Sequence, residues 1–341
     1  MDNLTHSLAG ALLGQMGLKR KTGLAMPTLI IAANIPDIDA VAVLLGGHQH
    51  LAIRRGLTHG PIAWVVLPLL LWGAMLWFDR WQARRGKRPE KRLPVHKGWL
   101  LALAFMGCLT HPALDWLNSY GIRLLEPFSH KWFYGDSIFI VDVWMLAIMG
   151  LGLWLSMRRE RLGREDWRRP AKTAFIAVFV YINANATISA YAVTQTTQAL
   201  TSRVGLSDIQ QIVANPVPLA FWRREMLFGS PNNYYRSSYS LFSKMEPARN
   251  FQEIEISKHA THIVDVQKLT LRNKDLSAFL FWSRMPYDAL IETNGKREAV
   301  FRDARFSNPL VQDRFTVATR LLPTEEVIDI SQAATCKDSC K

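Results

Sequence analysis

Residues 98–117 read GWLLALAFMGCLTHPALDWL. As a helix rising 1.5 Å per residue, twenty residues cover about 30 Å, the thickness of a bilayer's hydrocarbon core. The stretch carries no charge before Asp115, so it predicts a membrane-spanning helix. Two residues break its apolar character. His111 and Asp115 are four apart and share one helical face. Ionisable groups inside an apolar span are costly enough that they usually serve function. An imidazole and a carboxylate at that spacing suit one metal ion or two adjacent ones; the alternative is an ordinary polar pair on a helix surface.

Three more runs predict spans: Pro61–Phe78, Ile138–Met157 and Thr173–Val193. Leu4–Leu18 is short, and Leu24–Leu45 is interrupted by Asn34, Pro36, Asp37 and Asp39; these read as short spans or a re-entrant pair. Most of the twelve Trp residues lie in this apolar half, near the ends of its runs, as membrane-interface aromatics do. Met1–Gly17 lacks the basic leader of a cleavable signal peptide.

The net charge of +13 follows the same division. Residues 1–193 hold 22 Lys+Arg against 12 Asp+Glu, and residues 194–341 hold 19 against 16. The excess sits in Lys19–Lys21, Arg80–Lys97 and Arg158–Lys172, each beside an apolar run. That is the pattern of cytoplasmic loops and argues against nucleic acid as a partner; membrane lipids are the expected neighbours. Six alternating segments then place both chain ends outside a bacterial-type inner membrane.

Beyond residue 194 the pattern becomes β-prone in Ile254–Ile256, His262–Leu271, Ala278–Trp282, Tyr287–Glu292 and Phe315–Leu321, with a hairpin signal at Asn294-Gly295. The predicted architecture is a membrane all-α helical bundle over 1–193, a connector over 194–250 with a helical part at Gln195–Ala214, a small extracytoplasmic β-rich domain over 251–330, and a tail over 331–341. Cys336 and Cys340 in that tail either pair or remain free thiols, and Cys108 reads as a small core residue.

On this topology, drawn from Lys and Arg alone, the misplaced polar residues converge at the outer end. His6 opens the first segment, Asp37 and Asp39 end the second, His59 precedes the third, His111 and Asp115 close the fourth, and Asp136 and Asp142 flank the start of the fifth. With extended backbone after Pro36, Asp37 and Asp39 point the same way; the plainer reading is a solvated turn. His6 and His59 taken singly are ordinary helix-end residues. Arg54 and Arg55 are either a phosphate-binding pair or a solvated one. His48, His50 and His130 read as loop residues.

Five segments in order carry a resemblance: Thr5-His6-Ser7, Pro36-Asp-Ile-Asp39, Arg55-Gly-Leu-Thr-His59, His111-Pro-Ala-Leu-Asp115 with Asn118-Ser-Tyr-Gly121, and Pro127-Phe-Ser129 leading to Trp132 and Asp136. Over about residues 1–145 the chain resembles the membrane-bound metal-dependent hydrolase family typified by YdjM and YfhP. It is more distantly similar to the zinc-dependent phospholipase C and P1-type nucleases. The former often has His where Arg54 stands, and the latter supply a later His-plus-carboxylate pair at spacings absent here.

The resemblance implies that His6, Asp37, Asp39, His59, His111 and Asp115 hold one or two divalent ions, zinc foremost, with Asp39 or Asp136 as base and Arg54 and Arg55 near a phosphate. The expected function is hydrolysis of a phosphoester of a lipid or envelope molecule. The alternative is a non-catalytic, metal-stabilised scaffold or metal-handling protein with a partner-binding β domain. A transporter is disfavoured, because the polar residues gather at one end.

Overall fold

The structure is a computed structural model describing residues 1–203, 209–230, 233–242, 256–257, 262–263, 266–293, 296–306, 312–321 and 327–328. The chain divides into two compact units. The first comprises Met1–Ala40, Arg54–Ser189 and Pro216–Trp222, and the second Val41–Ile53, Ala190–Asn215 and Arg223–Lys341.

The first half is helical. Helix α1 (Asn3–Gln15) starts at Asp2, whose carboxylate accepts the Thr5 amide at 3.0 Å and the Thr5 hydroxyl at 2.6 Å. At 13 residues it is too short to cross a bilayer. Helix α2 (Ala25–Ala32) gives way to a 3-10 helix, Ile35–Leu45, and the two meet at 44°. The bend falls beside Pro36, where the chain loses a backbone donor. The backbone beyond it is therefore tightly wound and not extended.

Helix α3 (His50–Ile53) is a single turn, and a 3-10 turn at Leu57–His59 leads into α4 (Pro61–Arg84). Helices α5 (Lys97–Trp116), α6 (Val143–Arg161) and α7 (Arg169–Arg203) complete the half. Each of the four predicted spans falls on a helix, although α6 begins at Val143 and leaves Ile138 to Asp142 of its span outside it; among the described residues only α4 and Arg169–Thr201 of α7 are both long and apolar enough to cross a membrane, with the bent pair as a third candidate. The polar ends account for the difference: α5 carries His111 and Asp115 in its last turns, and α6 ends in Arg158-Arg159-Glu160-Arg161.

Small residues set the packing in this unit. A Cβ on Gly10 of α1 would lie 2.6 Å from the Leu29 carbonyl, and one on Gly107 of α5 would lie 2.6 Å from the Ala32 Cβ. Helix α2 therefore sits at backbone distance from α1 on one side and α5 on the other, the close approach typical of membrane helices. Leu71 and Met75 of α4 pack with Leu100, Ala104 and Cys108 of α5, while α1, α6 and α7 share Leu12, Met145, Met149, Ala174 and Val178. Outward faces stay apolar: Leu70 of α4 is 63% exposed and Ile176 of α7 is 62%. Among the basic stretches, Asp79 pairs with Arg88 and Arg92, and Lys19 pairs with Glu160.

In the second unit, strands β1 (Gln211–Pro216), β2 (Arg223–Gly229), β3 (Asn233–Ser240) and β4 (Ile256–Ser257) form one sheet in that order. Thus β1, β2 and β3 occupy a stretch read from sequence as connector, and α7 runs unbroken through Arg203. Strand β5 (His262–Ile263) pairs with β9 (Val327–Ile328), and β6 (Pro286–Thr293), β7 (Lys296–Asp303) and β8 (Thr316–Arg320) form an antiparallel sheet. Thr293 faces Lys296, the register a two-residue connection gives; Asn294 and Gly295 lie outside the described residues, as do Cys336 and Cys340.

Of the β expectations, His262–Leu271 holds only at His262–Ile263, and Ala278–Trp282 fails. Val266–Arg272 is helix α8 and Lys274–Trp282 is helix α9. Asn273 caps α9 by accepting the Asp275 and Leu276 amides, and Leu276, Phe279 and Trp282 recur every three residues on its buried face. A local cap and a helical period override the β propensity of the aromatics. In the same unit α3 packs against α9, where the Asp275 carboxylate accepts the His48 amide at 3.0 Å.

Candidate metal centre

Connectivity gathers the polar residues. Helix α1 presents His6 in its first turn, the segment after α2 brings Asp37 and Asp39, the 3-10 turn before α4 brings His59, and the last turns of α5 bring His111 and Asp115. The three imidazoles are fully buried, Asp115 is 1% exposed, Asp39 5% and Asp37 9%.

His111 is at the centre of this cluster. Its ring stacks on His6 at 3.8 Å between centroids and meets His59 edge-on at 5.0 Å. The His111 Nδ1 lies 2.7 Å from the Ala33 carbonyl at the end of α2. A carbonyl only accepts, so Nδ1 carries the proton and Nε2 keeps its lone pair. His59 is held similarly. Its Nδ1 is 3.4 Å from Asp39 Oδ2 and 2.9 Å from the Thr58 hydroxyl, leaving Nε2 free to face Asp115. An outer acceptor on one ring nitrogen and a bare second nitrogen is the arrangement of metal-ligating histidines.

The spacing inside the cluster is not that of hydrogen bonds. Asp115 Oδ1 is 3.3 Å from His6 Nε2, and Asp115 Oδ2 is 3.5 Å from His59 Nε2 and 3.6 Å from His111 Nε2. His111 Nε2 is 3.8 Å from Asp37 Oδ1. Four ligands at about 2.0–2.1 Å from a zinc ion are separated by roughly 3.3 Å along each tetrahedral edge. His6 Nδ1 and Nε2, His59 Nε2 and His111 Nε2 are buried without a hydrogen-bond partner, and the two Asp115 oxygens are paired only with the cations of Arg55 and the Met1 nitrogen. So many orphaned donor atoms in one place is costly unless something else satisfies them, and the set fits a divalent cation. Two ligand groups of the right size result, His6 with Asp37 and His111, and His59 with His111 and Asp115. Both use His111, whose single bare nitrogen serves one ion.

Arginines and a loop close the site. Asp39 Oδ2 accepts the Arg55 amide and the Thr58 hydroxyl, both at 2.8 Å. Arg55 adopts φ 54° and is 4% exposed; its Nε lies 2.9 Å from Asp115 Oδ2, and its Nη1 donates to Asn118 Oδ1 at 3.0 Å and to the Gly121 carbonyl at 3.3 Å. The Tyr120 ring lies 4.5 Å beneath the guanidinium. Burial and the adjacent Arg54 cation pull the Arg55 pKa down to about 10, so it stays charged at neutral pH. Burial likewise lowers the His59 pKa, against the opposing pull of Asp39, which keeps the ring neutral. The Met1 nitrogen also pairs with Asp115 Oδ1.

Residues 1–192 match the profile of the YdjM inner membrane protein family. The chain belongs to that family. No curated protein and no solved structure matches it. The YdjM match covers every element that carries the cluster and ends inside α7, before the first strand.

Within this YdjM region, neither metal-sized group contains Asp39 or Asp136. Asp39 braces Arg55, Thr58 and His59. The Asp136 carbonyl accepts the Ser189 hydroxyl, and Asp142 caps α6 through the Met145 amide while accepting the Tyr181 hydroxyl. His50 Nδ1 lies 3.3 Å from the Gly47 carbonyl, and His130 pairs with Glu126. Thr58, Asn118 and Tyr120 have positioning roles that sequence reading did not assign, although they stand inside the ordered motifs. The Ala33 carbonyl leaves no mark in a sequence.

Proposed function

We propose that this inner-membrane protein is a metal-dependent hydrolase of phosphoesters, with a lipid or envelope molecule as substrate. One observation carries the reading: bare imidazole nitrogens converge with the carboxylates of Asp37 and Asp115 in a buried cluster at ligand-edge spacing, with no hydrogen bonds among them. His6, Asp37, His59, His111 and Asp115 would hold one or two divalent ions, zinc foremost among those that take mixed nitrogen and oxygen donors. Such an ion, when bound, lowers the pKa of water and polarises the scissile group.

The chain's own residues supply the rest. Ala33 and Asp39 fix the tautomers of His111 and His59, and Arg55 fixes the Asp115 carboxylate. Asp39 touches the cluster through His59, and its second oxygen, Oδ1, is buried without a hydrogen-bond partner, which places Asp39 to take a proton there. Arg54, 28% exposed, is the arginine at the open side. The scaffold alternative is weaker, because the donors outnumber the four that a closed structural zinc site uses.

The test is hydrolysis of p-nitrophenyl phosphate and bis-p-nitrophenyl phosphate by purified protein. Activity lost to chelator and restored by zinc is expected; turnover indifferent to chelation sinks the proposal.

The reading includes a multi-pass topology with the cluster and the second unit on the outer side, supported by the basic stretches, the outward apolar faces and the two apolar helices. Reporters fused after Val193 should be active only when the reporter requires the outer compartment. A signal from a cytoplasm-dependent reporter would reverse the orientation.

A further inference from the structure

The two neighbouring arginines are not equivalent. Arg55 is engaged by Asp115, Asn118, the Gly121 carbonyl and the Tyr120 face. Arg54 reaches the open side, where its Nη2 donates to Asp37 Oδ1 at 2.9 Å. Its Nε lies 3.6 Å from Asp39 Oδ1 and is buried without a hydrogen-bond partner.

The Asp37 oxygen held by Arg54 is also the one that lies 3.8 Å from His111 Nε2 and completes a ligand group with His6. A guanidinium and a divalent cation thus compete for one carboxylate oxygen. Once the ion has it, the charge that held Arg54 is neutralised, and the guanidinium stands beside a second cation in a poorly solvated site. An oxyanion bridging the two relieves that repulsion, and the planar guanidinium fork matches phosphate geometry.

We propose that Arg54 is the site's oxyanion receptor, latched by Asp37 until a metal ion takes Asp37, so that metal binds first and the phosphate group of the substrate second. This rests on the metal-dependent reading above. The ligand chemistry is a phosphate oxyanion, whether on a lipid headgroup or free in solution.

The test uses full-length protein in detergent, zinc alone and then inorganic phosphate as calorimetric titrants. Zinc-loaded wild type should bind phosphate, and Arg54→Gln should weaken that binding about 10–100-fold, the range of a charge-assisted hydrogen bond, without weakening zinc binding. Metal-free wild type should bind phosphate poorly. Metal-free Asp37→Asn, with the latch opened and no ion present, should bind it at least about tenfold more tightly.

Equal phosphate affinity in zinc-loaded wild type and Arg54→Gln overturns the receptor. A tenfold loss of zinc affinity in Arg54→Gln also overturns it, by making Arg54 a holder of Asp37. Metal-free Asp37→Asn that binds no better than wild type overturns the latch. A wild type that takes no zinc defeats the metal reading and the ordered release with it, and so differs from failure of Arg54 alone. Repeating the titration in phosphatidylcholine nanodiscs with and without phosphatidic acid identifies the source. Competition by phosphatidic acid marks a lipid phosphate, and its absence marks a soluble one; either supports the receptor.

Discussion

Alanine at position 111 is expected to remove bound metal and hydrolysis together, while the protein remains inserted in the membrane. His111 supplies the one nitrogen common to both ligand groups, so neither remains complete without it. Insertion should survive because α5 keeps Leu100, Leu103, Ala104 and Cys108 buried against its neighbours. Asp39→Asn provides the contrast. Asp39 acts on His59 from outside the ligand groups, and loss of such an orienting contact typically costs about 10–100-fold in metal affinity without abolishing the site, while hydrolysis should fall further, by about 10²–10⁴-fold, through loss of the base. Metal content measured after purification separates the two. His111→Ala protein that still carries metal would show that the imidazole is a buried structural residue.

Replacing Asp303 with alanine should unfold the second unit's three-stranded sheet far more readily, by about 3–5 kcal/mol, the usual cost of leaving a buried charge without its partner. Asp303 and Arg305 are both fully buried. The carboxylate accepts from the Ser283 hydroxyl, the Arg284, Met285 and Arg305 amides, and Arg305 Nε and Nη2. Burial by itself would raise its pKa, but the Arg305 charge and these hydrogen bonds outweigh it and hold the carboxyl below its ordinary value. The native state therefore binds this proton less readily than the unfolded chain. The stabilisation is present above the unfolded carboxylate value of about 3.9 and is lost as pH falls through the lower native value. Protection factors for hydrogen exchange in β6, β7 and β8, corrected for the intrinsic rate at each pH, should fall on acidification below about pH 4 in wild type, and be low at all pH values in Asp303→Ala. Exchange unaffected by the substitution would remove this pair from the stability of the unit.

The helical half was legible because an apolar run of spanning length and a basic loop are properties of composition, available without any knowledge of packing. The site was legible for a related reason. His111 and Asp115 in an apolar helix, or Asp37 and Asp39 beside a proline, are conspicuous wherever they finally sit, and the fold brings Asp37, His111 and Asp115 together.

Partners made of backbone, or fixed by packing, were not legible. The Ala33 carbonyl that sets the His111 tautomer looks like any other peptide group. The difference between Arg54 and Arg55, adjacent and chemically alike, depends on which one turns inward under Tyr120. In the second unit, Ala278–Trp282 has strand-like composition, yet Asn273 caps a helix and buried Leu276, Phe279 and Trp282 follow its period. Neighbouring structure decided there between two local preferences.

The central claim is that the buried His and Asp cluster holds a divalent ion, and metal content by mass spectrometry tests it most directly. Protein purified in detergent without added metal, and checked for folding, should contain one or two equivalents of a divalent transition metal, removable by chelator and restored by zinc. A folded preparation that contains none and takes up none would contradict the account.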